Sequence, residues 1–243
     1  MLLISFLAFL VSTLVAAAVV RWGHGHARVY GEHMPQRFHA GHVPRLGGLA
    51  LLAGVVSSWL VGAVQSTLYG DPGSLRLGPW VGWWVAALLP AVLGGMAEDA
   101  TQRLAVRWRL LLSGVTAVLA VMLLGLSVTR LDLPWLDGWM RLVPWFGTAI
   151  ALLAVTGLPH AFNIIDGYNG LSGAVALAVC LALTHVALQV GDRGLAVMVA
   201  CTAGATVGFL VWNYPRGMLF AGDGGAYVWG VVIAIASILL VQR

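Results

Sequence analysis

Residues 163–190 read NIIDGYNGLSGAVALAVCLALTHVALQV, and the two parts of that stretch ask for different surroundings. From 170 to 190 the chain is apolar, with His185 its one ionisable side chain apart from Cys180. About 20 such residues carry a helix across a bilayer. The run lacks the alternation of a strand, so the spacing predicts a transmembrane helix over 170–190. The eleven residues NIIDGYNGLSG at its start hold one carboxylate, two amides and three glycines. A carboxylate at the end of a lipid-soluble helix is costly enough to mark a site.

Seven further stretches of the same kind lie near 2–20, 46–66, 79–97, 109–128, 143–159, 194–212 and 225–241. Hydrophobic residues make up 60% of the chain and charged residues 9%, against about 25% charged in soluble domains. The fold class this implies is all-α, a polytopic transmembrane bundle of about eight helices forming one domain over 1–243, and not an outer-membrane barrel. The first stretch has no positive region before it and its basic residues follow it, so it reads as a membrane helix with its N-terminus outside rather than a secretory signal.

All thirteen basic residues are arginines. Arg21, Arg28, Arg37, Arg45, Arg103, Arg107, Arg109 and Arg216 fall in the odd-numbered loops, and only Arg76, Arg130, Arg141, Arg193 and Arg243 on the other side. The positive-inside rule makes the odd-numbered loops cytoplasmic. A pI near 9.6 then reports topology and anionic ligands rather than nucleic-acid binding. Cys180 and Cys201 fall inside helices and read as small buried hydrophobes.

The acids divide the same way. Glu32, Glu98, Asp99, Asp166 and Asp223 lie on the inner side, and Asp71, Asp132, Asp137 and Asp192 outside among turn residues. Four inner segments set acids, amides or arginines beside glycines: HAGHVPRLGG (39–48), GGMAEDATQRLAVRWRLL (94–111), HAFNIIDGYNGLSG (160–173) and WNYPRGMLFAGDGGAY (212–227). Glycine lets backbones approach closely. Carboxylates and amide oxygens without a Cys or His pair favour a hard cation that shares its shell with phosphates. Arginine adds bidentate phosphate contacts. Charge neutralisation and alignment are what phosphoryl transfer requires, so the residues alone point to a metal-dependent phosphotransferase. If the chain is helical over 163–170, Asn163 and Asp166 share a face, continued by Asn169 or Gly170.

In order and spacing these segments resemble the polyprenyl-phosphate N-acetylhexosamine-1-phosphate transferases. VPRLGG looks like the family's Pro-Arg-x-Gly-Gly, NIIDGYNGL like its Asn-x-x-Asp-Gly-x-Asp/Asn-Gly-Leu, and WNYPRGMLFAGDGGAYVWG like its Asn-x-Pro followed by Gly-Asp-x-Gly-Ser. The resemblance implies catalytic roles for Asp99, Glu98 and Asp166, with Asp99 acting on the lipid phosphate. It implies substrate contacts from Asn163, Asn169, Gly167, Arg45, His39 and Asn213. It also implies Mg²⁺, with Mn²⁺ as a substitute, held by Asp223 and Asp166. The expected partners are a UDP-N-acetylhexosamine, undecaprenyl phosphate and membrane lipid, with no nucleic acid and with a homodimer as one allowed assembly. The expected location is the bacterial inner membrane with the site facing the cytoplasm, and the expected product an O-antigen or related glycan precursor. Glu98 departs from the family's first aspartate, and RWRLL looks more like the O-antigen-initiating branch. The family's pattern continues past the segment matching its eighth helix, so the resemblance implies a piece of a longer protein or a shortened relative. A non-catalytic paralogue and a transporter are the rival readings; a transporter would hold its acids near the bilayer midplane.

Plainer readings stand beside these. His24, His26, His33 and His42 fit no common metal spacing and read as loop residues. His160 reads equally as a site-lining or a satisfied interfacial side chain, and His185 as packed within the bundle. Trp80, Trp83, Trp84, Trp135, Trp139 and Trp145 read as an outer interfacial belt.

Overall fold

A computed structural model of the chain describes residues 1–23, 43–68 and 77–243. Nine helices occur there and no strand. They are α1 (Leu2–Trp22), α2 (Gly47–Leu68), α3 (Gly78–Thr101), α4 (Val106–Leu124), α5 (Pro134–Leu142), α6 (Pro144–Ile165), α7 (Leu171–Gln189), α8 (Arg193–Asn213) and α9 (Gly222–Val241). All but α5 are long and apolar enough to cross a membrane, so the chain is a polytopic helical bundle. His39, Glu32 and the other histidines of 24–42 lie outside the described residues.

The bundle is built around α9. Its span is 83% buried and that of α8 72%, whereas α4 and α6 are each 22% buried and leave most of their surface exposed. A helix that is apolar all round belongs in such a centre. Close packing comes from small residues: Gly204 and Gly208 of α8 bring that helix against the α1 backbone at Ser5 and Phe9, where a Cβ would collide. Ser12 of α1 donates to the Ala205 carbonyl of α8 at 2.8 Å. This is the small-residue packing of membrane helices, which have no hydrophobic drive to associate in lipid. Gly230 of α9 similarly admits the α6 backbone at Pro159, where the proline also removes one helical N–H.

Some expectations are corrected. The loop 129–142 contains α5, whose Trp135 and Trp139 are 70% and 65% exposed. Trp84 is not part of the expected belt: it is fully buried and meets Trp59 edge-on at 5.5 Å, because its position on α3 faces α2. His185 is exposed on α7, not packed, since the face of α7 carrying Cys180, Thr184 and Ala187 is the one buried. Cys180 and Cys201 are buried free thiols.

Candidate active site

The N-terminus of α9 is gripped by the segment leading into α2. The Pro44 carbonyl accepts from Phe220 N–H at 3.0 Å, and Gly47 and Gly48 N–H donate to the Phe220 and Ala221 carbonyls at 2.8 and 2.9 Å. Gly222 follows at φ +68°, and a Cβ there would stand 2.5 and 2.6 Å from the Asp99 carboxylate oxygens and against the Arg45 carbonyl. Only glycine combines that left-handed backbone with that lack of bulk. Gly95 of α3 is likewise pressed against the Asp223–Gly224 backbone. The glycines of three of the four motif segments thus meet around one helix end.

Three aspartates converge on that end, each with different partners. Asp99, in the last turn of α3, is 6% exposed. Its two oxygens accept the backbone N–H groups of Asp223 and Gly224, both at 2.8 Å, satisfying donors that the first turn of a helix leaves open. Asp223, in the first turn of α9, pairs with the Arg109 guanidinium of α4. It also accepts from the Asn163 amide of α6 at 2.6 Å. Asp166 stands at the C-terminal end of α6 and takes the Ser172 hydroxyl at 2.5 Å. Burial pushes the Asp166 carboxyl above its ordinary range. The Ser172 hydroxyl, the Arg45 charge and the Gly222 N–H pull it back, and the Asp223 charge adds a smaller upward push.

The remaining expected residues fall into distinct places. Glu98 turns away from Asp99 and accepts the Leu104 N–H at 2.7 Å, closing the turn between α3 and α4. Helix α6 stops at Ile165, so 163–170 is not one helix; Asn163 and Asp166 remain a turn apart across its end. Asn213 is 1% exposed with both ends of its amide engaged, accepting from Gly170 N–H at 2.6 Å and donating to the Leu219 carbonyl at 2.8 Å. It ties the two motif loops together from beneath. Asn169 donates to the Pro215 carbonyl at 3.0 Å while its Oδ1 is buried without a partner. Gly167 faces open space. Arg45 stands beside the acids, its charge acting on both Asp99 and Asp166.

Arg109 is the residue sequence reasoning passed over. Counted as a loop charge, it lies in the first turn of α4, and its Nε is buried without a partner. An arginine one turn inside an apolar helix, at the face that holds the acids, was the available signal. Beneath it a second polar layer joins three helices: His160 of α6 meets the Ser113 hydroxyl of α4 at 3.0 Å and the Tyr227 hydroxyl of α9 at 3.2 Å.

Among the described residues no three His, Cys, Asp or Glu side chains form a metal cage. Asp223 and Asp166 offer carboxylate oxygens, the donor type of an ion bound by one or two carboxylates that completes its shell with water and phosphate. That is the habit of Mg²⁺ and not of a thiolate- or imidazole-bound metal.

The model of glycosyl transferase family 4 matches residues 80–241. The phospho-N-acetylmuramoyl-pentapeptide-transferase of Moorella thermoacetica is 30% identical over 202 residues, 81% of this chain and 61% of that protein. The probable undecaprenyl-phosphate N-acetylglucosaminyl 1-phosphate transferase of Bacillus subtilis is 25% identical over 98% of this chain and 63% of its own length. The chain therefore spans under two thirds of the length of these two relatives.

Proposed function

The chain belongs to glycosyl transferase family 4, and from that premise we propose that it transfers an N-acetylhexosamine-1-phosphate from a UDP-sugar to undecaprenyl phosphate, releasing UMP. In this reading the site faces the cytoplasm from the bacterial inner membrane, and the product starts an O-antigen or related surface glycan. The observation that carries the reading is Asp223, held at the start of the central helix between Arg109 and Asn163 with Asp99 and Asp166 beside it. The names of the relatives support the substrate classes: one names a phospho-sugar peptide transferase and the other an undecaprenyl-phosphate sugar 1-phosphate transferase.

The reaction forms one P–O bond and breaks another. An oxygen of the lipid phosphate attacks the β-phosphorus of the UDP-sugar, the bond to the bridging oxygen breaks, and UMP leaves with that oxygen. A phosphate monoester has a second pKa of about 6, so the nucleophile is largely dianionic at neutral pH and needs no strong base. That leaves Asp99 free to serve as the clamp on the α9 N-terminus, which fixes where Asp223 stands. Arg109, whose Nε lacks a protein partner, supplies a donor for a phosphate oxygen. Arg45 adds positive charge beside Asp99 and Asp166. Asp223 and Asp166 would hold Mg²⁺, which supplies charge neutralisation of the diphosphate when bound.

The test is UMP release by membranes carrying this chain, supplied with polyprenyl phosphate and UDP-N-acetylhexosamine, with and without EDTA. We expect release that requires both substrates and falls at least about 100-fold in Asp223→Asn. Release that survives Asp223→Asn or EDTA overturns the metal assignment, and no release from the wild-type chain overturns the transferase reading.

A further inference from the structure

The polar end of the bundle has two layers built on the same three helices. Arg109 of α4, Asn163 of α6 and Asp223 of α9 form the outer one. Four residues on from Arg109 is Ser113, three before Asn163 is His160, and four on from Asp223 is Tyr227. One helical turn deeper, each helix thus contributes one member of a second hydrogen-bonded trio.

The direction of its bonds follows from counting protons. Ser113 Oγ lies 2.9 Å from the Leu110 carbonyl, an acceptor for its one hydroxyl proton. With the proton there, the 3.0 Å contact with His160 Nε2 takes its proton from the imidazole. A neutral ring protonated at Nε2 accepts at Nδ1, and the Tyr227 hydroxyl stands there at 3.2 Å. The rings also meet edge to face, with centroids 5.2 Å apart. Tyr227 is 1% exposed, so no other bond to solvent competes.

We propose that His160 is a positioning residue: by bonding α4 on one side and α9 on the other, it fixes the spacing at which Arg109 and Asp223 meet one turn above. Reactive constellations tolerate about 0.5 Å of drift, and α4 leaves most of its surface exposed. The layer supplies the polar tie that lipid packing does not. The kinetic part of the test rests on the transferase reading above; the structural part does not.

The test compares the full chain with His160→Leu, His160→Asn and Tyr227→Phe in detergent micelles. Asparagine keeps an acceptor where Nδ1 stood, and leucine keeps volume without it. In His160→Leu, kcat for UMP release falls about 100-fold while KM for the UDP-sugar stays within about two-fold; Tyr227→Phe falls about ten-fold, and His160→Asn, which keeps the bond to Tyr227 and loses the one to Ser113, falls between them. Nitrogen NMR of histidine-labelled protein shows the Nε2–H tautomer at His160. The Arg109 guanidinium signals, assigned by their absence in Arg109→Lys, shift in Tyr227→Phe. The proposal is overturned by wild-type kcat in both His160→Leu and Tyr227→Phe. Should His160→Leu fail to fold, Tyr227→Phe decides alone. If the wild-type chain releases no UMP, the transferase reading falls and the NMR decides: Arg109 signals unmoved in Tyr227→Phe overturn the positioning role.

Discussion

Asp99→Asn changes one atom at the junction of α3 and α9, and the structure sets what that change should cost. Each carboxylate oxygen accepts one backbone N–H at 2.8 Å, from Asp223 and from Gly224, and the side chain is 6% exposed. Asparagine keeps one acceptor and turns an NH₂ group toward the other N–H, donor against donor. One hydrogen bond to a charged group, worth about 1.5–3 kcal/mol, is lost and a buried N–H is left open. The attraction between a negative charge and the helix N-terminus, about 0.3–1 kcal/mol, goes with it. The sum is about 3 kcal/mol, or a fall of about 6–12 °C in the unfolding midpoint for a chain of this size. Cys180 and Cys201 are buried and free, so a thiol-reactive dye reads the transition in detergent directly. A midpoint within about 2 °C of wild type would refute the clamp and return Asp99 to the role of an acid acting on substrate.

Gly222→Ala should destabilise at least as much, since the left-handed backbone costs about 1–2 kcal/mol and the new Cβ displaces the Asp99 carboxylate; an unchanged midpoint in the same dye assay would contradict the close approach. Asp166 has its carboxyl pushed up mainly by burial, so its contribution to stability is present below the unfolded carboxyl pKa of about 3.9 and is lost as pH rises through the folded value. Asp166→Asn should therefore match wild type in acid and gain relative stability toward neutral pH, and midpoints across that range would show a loss at neutral pH if Arg45 and Gly222 outweigh burial. Trp84→Ala should cost about 3–5 kcal/mol as a core truncation, whereas Trp135→Ala should stay within about 0.5 kcal/mol; similar midpoints for the two would place Trp84 back in the interfacial belt.

The spans were legible because lipid imposes one rule along the whole chain: about 20 apolar residues per helix. The site was legible as a set of segments, because acids beside glycines have few reasons to stand in such a sequence. What the sequence hid is which polar groups face each other. Nothing in GGMAED says that Asp99 turns to the α9 backbone while Glu98 turns to Leu104; that depends on how far α3 runs, and it runs through both residues to Thr101. Arg109 looked like a loop charge because its helix begins earlier than its hydrophobicity does. Trp84 looked like a belt residue because composition cannot tell which side of a helix meets α2 and which meets lipid. α5 is too short and mixed to announce itself as a membrane element.

The polar end of this bundle also explains why its glycines and its acids occur together. Gly222, Gly95 and Gly48 remove the side chains that would hold α2, α3 and α9 apart, and the backbone groups so exposed would be unsatisfied in a lipid-facing protein. Asp99 and the carbonyls of Pro44, Phe220 and Ala221 take part in the bonds that close that gap. The closeness and the charge are therefore one device: without the glycines Asp99 could not reach the helix end, and without Asp99 the N–H groups of Asp223 and Gly224 would lack acceptors. Asp223 gains its position from that junction and its orientation from Arg109 and Asn163. A substitution at Gly48 or Gly95, neither of which bears a functional group, should thus act on the Asp223 pair as directly as a change in Arg109 itself.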